Sequence, residues 1–262
     1  MTKPFVVGFI VGVALLIVAG VGASRLRQKD TKRIAAEAEE KEYQQKIADA
    51  TPVQFGALSE KQHVHSKLYS HYRERRGGKT ISGLVAQAKG KSRIASTIAF
   101  VGMQEVLTEP ETPENYFGAL AKASDAVIRG RITKKTSQVT DDDSFIFTEY
   151  DVEITEALKD NVTAPIHTGA TIIVTRPGGT VLLDGVIVEA EDKAFEPLPI
   201  NHEVVLFLQY IPETGAYNST QATGSFELDG AILRPLTKAN LPPGVLRGKD
   251  SFLRTVRSIS NR

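Results

Sequence analysis

The chain has 262 residues, of which 41% are hydrophobic and 24% are charged, and its formal net charge at pH 7 is +1. This length provides one main core and an accessory segment rather than two large domains, and the near-zero net charge argues against nucleic acid as a partner. The absence of cysteine excludes disulfides, thiolate metal ligands and a cysteine nucleophile.

An uninterrupted apolar run covers residues 5–23 and contains no charged or strongly polar side chain. Its length is close to the ~20 residues that a helix needs to cross a bilayer, so we expect residues 1–23 to form a transmembrane anchor that contacts lipid. Two glycines in the run have the spacing through which such helices pair, which makes a homodimer through the anchor a further expectation. The residues assigned to the anchor are Phe5, Gly8, Gly12, Leu15 and Ala23.

A cleaved signal peptide is the alternative to a retained anchor. Lys3 precedes the run and the small residues Val21-Gly22-Ala23 end it, as in an export signal. The run is longer than the ~7–15 apolar residues of a signal core, which favours the retained anchor. The positive-inside rule would hold the following flank in the cytoplasm, because it contains Arg25, Arg27, Lys29, Lys32 and Arg33.

Residues 24–112 are expected to form a helical stalk and an accessory helical segment. As far as Ala50 the sequence is rich in Ala, Glu, Lys and Gln, which favour helix, but it has too few apolar residues for a stable coiled coil. Ser59 and Gln62 form a capping-box pattern at the start of a second helix, and Gly77 is its stop signal. The residues from 81 to 103 fit either a helix or a strand.

Three of the five histidines lie on the second predicted helix and raise the question of a zinc site. His63, His65 and His71 lie on this helix; successive residues on a helix turn by about 100°, so His63 and His65 lie on nearly opposite sides and cannot bind one metal ion. We therefore predict neither a metal nor another cofactor.

Residues 113–262 are predicted to form a mainly β domain with a short helix at each end, and we expect them to fold without the preceding residues. Thr112 is the predicted cap of the first helix, with Pro113 at its first position. Six short apolar segments separated by Gly, Pro, Asn and Asp turns indicate a small antiparallel barrel or sandwich. The stretch KDSFLRTVRSI has helical apolar spacing and predicts the short C-terminal helix.

The stretch YDVEITEALKDN places three carboxylates, Asp151, Glu153 and Glu156, within six residues, and an acid/base enzyme could use such a group. Because strand side chains alternate, Asp151 and Glu153 are expected to face water while Val152 and Ile154 face the core. The two acids would lie roughly 6.5–7 Å apart, a separation also found in glycosidase pairs. A hydrolase that uses these acids together with Asp184 is therefore the alternative to our prediction of a protein without catalytic activity.

A family resemblance is carried by the stretches ASDAVIRGRIT, EITEALKD, IIVTRPGG, LDGVIVE and NHEVVLFLQY. Between Tyr116 and Leu236 the chain resembles uncharacterised bacterial envelope proteins with a small β-barrel domain. It is distantly similar to the oligonucleotide/oligosaccharide-binding-like (OB-like) barrel of netrin-like modules, including tissue inhibitors of metalloproteases. The resemblance implies an OB-like barrel and an extracytoplasmic position. Those inhibitors use an amino-terminal cysteine, which this chain lacks, so the resemblance does not imply protease inhibition.

The candidate binding site is the stretch formed by Arg176, Pro177, Gly178 and Gly179. It would present open backbone and a cation at the rim of a barrel, and it supplies no base for catalysis. We expect a single-pass membrane protein whose β domain lies outside the cytoplasm and binds a protein or glycan partner at the cell envelope. A cytoplasm-facing scaffold on the membrane surface is the remaining alternative.

Overall fold

The computed structural model describes residues 34, 36–75, 77–99, 112–219, 221–230, 232–237, 241 and 248–260. The predicted anchor, residues 5–23, lies outside this part of the chain. Residues 1–48 and 49–262 are two separate compact units. In the first unit residues 36–47 are helical, and we name them α1. No helix among the residues listed above is both long and apolar enough to span a bilayer.

The second unit is mainly β, as the sequence predicts. Its helices are α2 (Glu60–Leu68), α3 (Tyr72–Arg75), α4 (Ile81–Ala88), α5 (Pro113–Ala123) and α6 (Lys249–Ser260), with a single 3₁₀ turn at Ala222–Gly224. Its strands are β1 (Thr51–Pro52), β2 (Ile94–Ala99), β3 (Ala126–Val139), β4 (Ile146–Lys159), β5 (Thr171–Pro177), β6 (Gly179–Leu183), β7 (Val186–Asp192), β8 (Glu203–Ile211), β9 (Ala216–Ser219), β10 (Ser225–Asp229) and β11 (Ile232–Pro235). The segment with two interpretations, residues 81–103, thus contains a helix followed by a strand.

The larger sheet has the strand order β11-β10-β8-β3-β4-β5-β9. Strand β8 also pairs with β9, so β3, β4, β5, β9 and β8 form a partly closed ring, which we call the ring. A cluster of buried apolar side chains drawn from all five of these strands fills its interior, including Ile128, Val152, Val174, Leu206 and Tyr217. The interior of the ring is therefore a packed core.

Both sheets are mixed, so the expectation of a purely antiparallel sheet is wrong. In the ring β5 and β9 run parallel, and in the smaller sheet, with the order β1-β6-β7-β2, the outer strands β1 and β2 run parallel to their neighbours. Parallel neighbours need a long crossover between them. No short turn joins two such strands, so their pairing cannot be predicted from turn residues in the sequence.

Both faces of β4 are buried at its beginning. The odd-numbered Phe147, which follows Phe145, suggests that the strand changes faces through a bulge near Thr148. The structure has no bulge there, because β4 and β5 pair continuously from Phe147 to Glu153. Instead, a second layer of side chains covers this end of β4, with Tyr69 stacked on Phe147 at 5.7 Å between ring centres.

The second layer comes from residues before Pro113. Tyr72, Ile81 and Val85 of the helical segment pack with Val181 and Val188 of the smaller sheet in one buried cluster. Strands β1 and β2 also belong to this sheet, although they precede the predicted domain boundary. Residues 49–112 are therefore part of the same compact unit as the ring, and a boundary at Pro113 does not separate two units.

A third layer, formed by α5 and α6, covers another part of the outer face of the larger sheet. Phe117 of α5 lies against Phe252 of α6 and Phe226 of β10, with ring centres 5.0 and 5.8 Å apart. Helix α5 begins at the predicted cap, because the hydroxyl of Thr112 accepts a hydrogen bond from the Asn115 amide. The predicted C-terminal helix is confirmed as α6.

A forked ion pair joins α6 to the ring. Arg257 Nε and Nη2 donate to the two carboxylate oxygens of Glu156 on β4, at 2.7 and 2.8 Å. Hydrogen bonding by Arg257 holds the pKa of Glu156 below its ordinary value, against the opposing effect of partial burial. A carboxyl group with a lowered folded-state pKa stabilises the protein above its unfolded-state pKa, and this stabilisation is lost as the pH falls through the folded-state value.

Replacement of Arg257 by Met is expected to lower the free energy of unfolding by about 0.5–1 kcal/mol near neutral pH, because the pair is partly exposed. The difference from the parent protein should disappear as the pH falls below the pKa of Glu156. Urea unfolding at neutral and strongly acidic pH measures both effects. The matched control is Arg254→Met on the exposed side of the same helix; a pH-dependent loss of the same size there would contradict the role of the pair.

Candidate functional site

The predicted site lies where the chain passes from the ring into the smaller sheet. Arg176 and Pro177 end β5, and Gly179 begins β6. Gly178 has φ +88°, and a Cβ atom there would lie 3.0 Å from the Ala190 carbonyl oxygen. At Gly179, with φ +147°, a Cβ atom would lie 2.2 Å from the Thr148 hydroxyl oxygen. Glycine is needed at both positions because the Ala190 backbone and the Thr148 side chain approach closely where β5 passes into β6.

Arg176 lies inside the protein, with 1% of its surface exposed. Alternation along β5 places Arg176 on the same face as Val174, which belongs to the core cluster inside the ring. Thr175 lies on the other face, where it accepts a hydrogen bond from the Tyr69 hydroxyl. The segment that follows β7 then covers the guanidinium, with the Phe195 ring centre 5.1 Å from its Cζ atom. The structure thus places the expected rim cation in the interior.

The guanidinium of Arg176 has few protein partners. Its Nη2 atom lies 3.5 Å from the Leu236 carbonyl oxygen, which is longer than a good hydrogen bond. Its Nε and Nη1 atoms are buried and have no hydrogen-bond partner among the residues that the structure describes. Burial lowers the pKa of Arg176, against the opposing influence of Tyr150, Tyr69, Glu196 and Asp192. The structure therefore contains a desolvated cation with unused donors.

The groups closest to this cation do not neutralise it. Burial raises the pKa of Tyr150 and of Tyr69, so both phenols stay uncharged at neutral pH. Asp192 accepts hydrogen bonds from the Tyr72 hydroxyl and the Ala194 amide. Glu196 pairs with the Arg234 side chain at 2.8 Å. Both acids are thus engaged elsewhere and attract Arg176 only at longer range.

A small cavity adjoins the guanidinium. Its volume is about 30 Å³, about twice what one water molecule requires. A larger open groove of about 400 Å³ lies next to it on the smaller sheet. The cavity and the groove share the lining residues Gly179, Ala190, Glu191 and Pro197. This arrangement can hold a ligand along the surface while one small group reaches Arg176.

A second polar cluster, which the sequence reading did not detect, surrounds His65 of α2. His65 is completely buried; its Nδ1 atom donates to Glu149 at 2.6 Å, and its Nε2 atom lies 2.9 Å from the Thr214 hydroxyl. Both ring nitrogens therefore have partners inside the protein, and the cluster ties α2 to β4 and to the turn between β8 and β9. Among the residues that the structure describes, no group of three His, Cys, Asp or Glu side chains could hold a metal ion.

Replacement of His65 by Ala is expected to reduce the free energy of unfolding by about 1–3 kcal/mol, because buried partners lose their hydrogen bonds. The matched control is His63→Ala on the same helix. His63 pairs with Asp141 at the surface, and an exposed pair contributes about 1 kcal/mol or less. Equal losses for the two variants in urea unfolding would contradict the structural role of the His65 cluster.

The acids of the alternative hydrolase site do not gather around one cavity among those described above. Along β4, Val152 and Ile154 are buried while Glu153 is exposed and Asp151 is half-buried, so the predicted alternation is confirmed. Asp184 lies in the exposed turn between β6 and β7 and pairs with Lys89 at 3.0 Å. Strand β4 belongs to the larger sheet and this turn to the smaller one.

Comparisons with known proteins do not assign a family. A scan of the chain against protein-family models gives no match, and a search of curated proteins gives no significant match. The interpretation of the site therefore rests on the residues and geometry described above.

Proposed function

We propose that the chain is a noncatalytic binding module, held at the membrane by residues 5–23, that engages a protein or glycan partner at the cell envelope. The ring supplies an OB-like barrel in this proposal. Five strands linked by pairing into a partly open ring are typical of the OB fold, which serves as a ligand-binding scaffold in many proteins. Because folds do not determine functions, the fold supports a binding role and does not identify the ligand.

The observation that carries the proposal is the buried guanidinium of Arg176, whose Nε and Nη1 atoms have no hydrogen-bond partner among the described residues, in a cavity that adjoins a groove. A buried charge without a partner is costly, and native proteins rarely keep one that has no role. Arg176 provides donors for an incoming group but cannot act as a base. Ligand binding therefore accounts for this residue better than the alternative of hydrolysis by the acids of β4.

Arrays of peptides and glycans, probed with the full chain in a nonionic detergent, test the binding role and separate the two partner classes. We expect binding to one class and at least about tenfold weaker binding by Arg176→Met, as for loss of a charged hydrogen bond. Arg257→Met is the control, because Arg257 lies on α6 and pairs with Glu156 of β4. Hydrolysis of the probes, or binding that does not depend on Arg176, would contradict the proposal.

The anchor in this proposal lies at residues 5–23, with Gly8 and Gly12 on the face through which two anchors would pair. A helix satisfies its own backbone hydrogen bonds in lipid, so the full chain should stay with the membrane fraction after a carbonate wash. Protease added to intact cells should cleave the β domain if it lies outside the cytoplasm. A soluble protein whose first residue is Ser24 would show instead that the segment is a cleaved signal.

A further inference from the structure

The structure points to the chemical group that Arg176 receives. We propose that the cavity beside Arg176 binds a single carboxylate group of a peptide ligand, whose neighbouring residues lie in the adjoining groove. This inference deepens the proposed binding function and rests on it. It requires a ligand charge that matches the cation, a fit to the cavity, and a groove that prefers peptide to acidic glycan.

The charge requirement follows from the unused donors of Arg176. Each edge of a guanidinium can donate two hydrogen bonds to a carboxylate. Each edge of Arg176 includes one nitrogen, Nε or Nη1, that has no partner within the described part of the chain. Asp192 and Glu196 line the same cavity, but they are engaged by Ala194 and Arg234 and form no direct salt bridge with Arg176 among the described residues. An incoming anion would supply the missing partner.

The size of the cavity favours a compact, singly charged group. A volume of about 30 Å³, about twice what one water molecule requires, suits a group as compact as a carboxylate. Glu189 lines the groove, and Glu191 lines both the groove and the cavity. These two carboxylates would repel a second negative charge on the ligand, so sulfated and polyuronate glycans, which carry repeated charges, fit the site poorly.

The groove has features that suit an extended peptide. Strand β2 is at the end of the smaller sheet, and within the described part of the chain it pairs only with β7. Such an edge offers backbone donors and acceptors to an added strand. Ile98 of β2 is 49% exposed and lines the groove with Pro197, which provides apolar contact for side chains of a peptide.

The first test uses small anions as probes of the cavity. The full chain in nonionic detergent, labelled with ¹⁵N at arginine Nε, is titrated with acetate, inorganic phosphate or sulfate at constant ionic strength. Acetate is expected to shift the Arg176 Nε–H resonance in a saturable way, with an affinity at least about tenfold higher than that of phosphate or sulfate. The Arg257→Met variant should respond as the parent protein does.

Two outcomes would overturn the carboxylate site: no saturable response of Arg176 to acetate, or an equal response to all three anions. A pair of otherwise identical peptides, one with a free carboxyl terminus and the other amidated and without acidic side chains, tests the ligand class. The free acid should bind at least about tenfold more tightly, and Arg176→Lys should reduce this preference. If the arrays detect a partner but acetate does not bind, the binding function stands and the carboxylate inference fails.

Discussion

A fragment that begins at Pro113 is expected to lose the cooperative unfolding transition that a fragment beginning at Asp49 retains. Residues 49–112 supply the side chains that cover Phe145 and Phe147, which are completely buried in the structure. Tyr72 stacks on Phe145 with ring centres 4.1 Å apart, and Tyr69 stacks on Phe147. Without this layer, one outer face of the ring and the inner face of the smaller sheet would be exposed to water.

The expected effect is large because several large side chains lose their burial together. Each buried aromatic or branched aliphatic side chain contributes about 1.5–3 kcal/mol, whereas the whole stability of a domain is about 5–15 kcal/mol. Thermal unfolding followed by near-ultraviolet circular dichroism measures the transition in both fragments. A fragment 113–262 that melts cooperatively, within a few degrees of fragment 49–262, would contradict the shared core.

Replacement of Arg176 by Met is expected to raise the free energy of unfolding by about 1–4 kcal/mol in ligand-free buffer. The methionine side chain fills much of the same space. It removes a buried charge whose Nε and Nη1 atoms have no partner in the described ranges of the chain. The opposing loss is the longer-range attraction to Asp192 and Glu196, which are engaged by other groups. Urea unfolding with and without acetate measures the change.

The matched control for this prediction is the same substitution at a paired arginine. Arg234 bonds to the nearly buried Glu227 through Nε at 2.6 Å and to Glu196 at 2.8 Å. Arg234→Met should therefore destabilise the protein by about 1 kcal/mol, because Arg234 is half-exposed, and the change is opposite in sign to that at Arg176. If both variants lose stability by similar amounts, Arg176 is compensated inside the protein and the site loses its physical basis.

A role in ligand binding would explain why a buried arginine that destabilises the free protein is retained at position 176. A residue that is unfavourable for stability in the free protein can be retained when it is used in binding, a common trade-off at functional sites. Ligand binding to the folded state alone then restores stability in proportion to the ligand concentration. Acetate should accordingly stabilise the parent protein and leave Arg176→Met unchanged.

Features governed by neighbouring residues could be predicted from the sequence. The capping box of Ser59 and Gln62 is present at α2, and the Thr112 cap with Pro113 begins α5. The alternation of Val152 with its neighbours is likewise set by the period of a strand. These features depend on hydrogen bonds and side-chain directions within a few residues, so a short stretch of sequence contains the information.

Features that depend on distant segments could not be predicted. The parallel pairing of β2 with β7 joins residues 94–99 to residues 187–192, and no turn connects them. The odd parity of Phe147 suggests a bulge only while the covering Tyr69 is unknown. In both cases the partner is far away in sequence, so local periodicity alone gives the wrong neighbour or no neighbour.

The candidate site was predicted only in part. The stretch from Arg176 to Gly179 signals a turn with unusual backbone, and both glycines do adopt positive φ angles. The burial of Arg176 could not be foreseen, because it depends on Phe195 and on the Leu236 carbonyl, which approach from two other segments. The His65 cluster was missed for the same reason, since Thr214 is far along the chain.

A high-resolution crystal structure of the protein grown in acetate would test carboxylate binding at Arg176 most directly. We expect a carboxylate oxygen about 2.7–3.0 Å from Nε or Nη1 of Arg176, with the guanidinium still buried under Phe195. The contradictory result is a direct salt bridge from both Nε and Nη1 of Arg176 to Asp192 or Glu196, with the cavity closed and no acetate beside it.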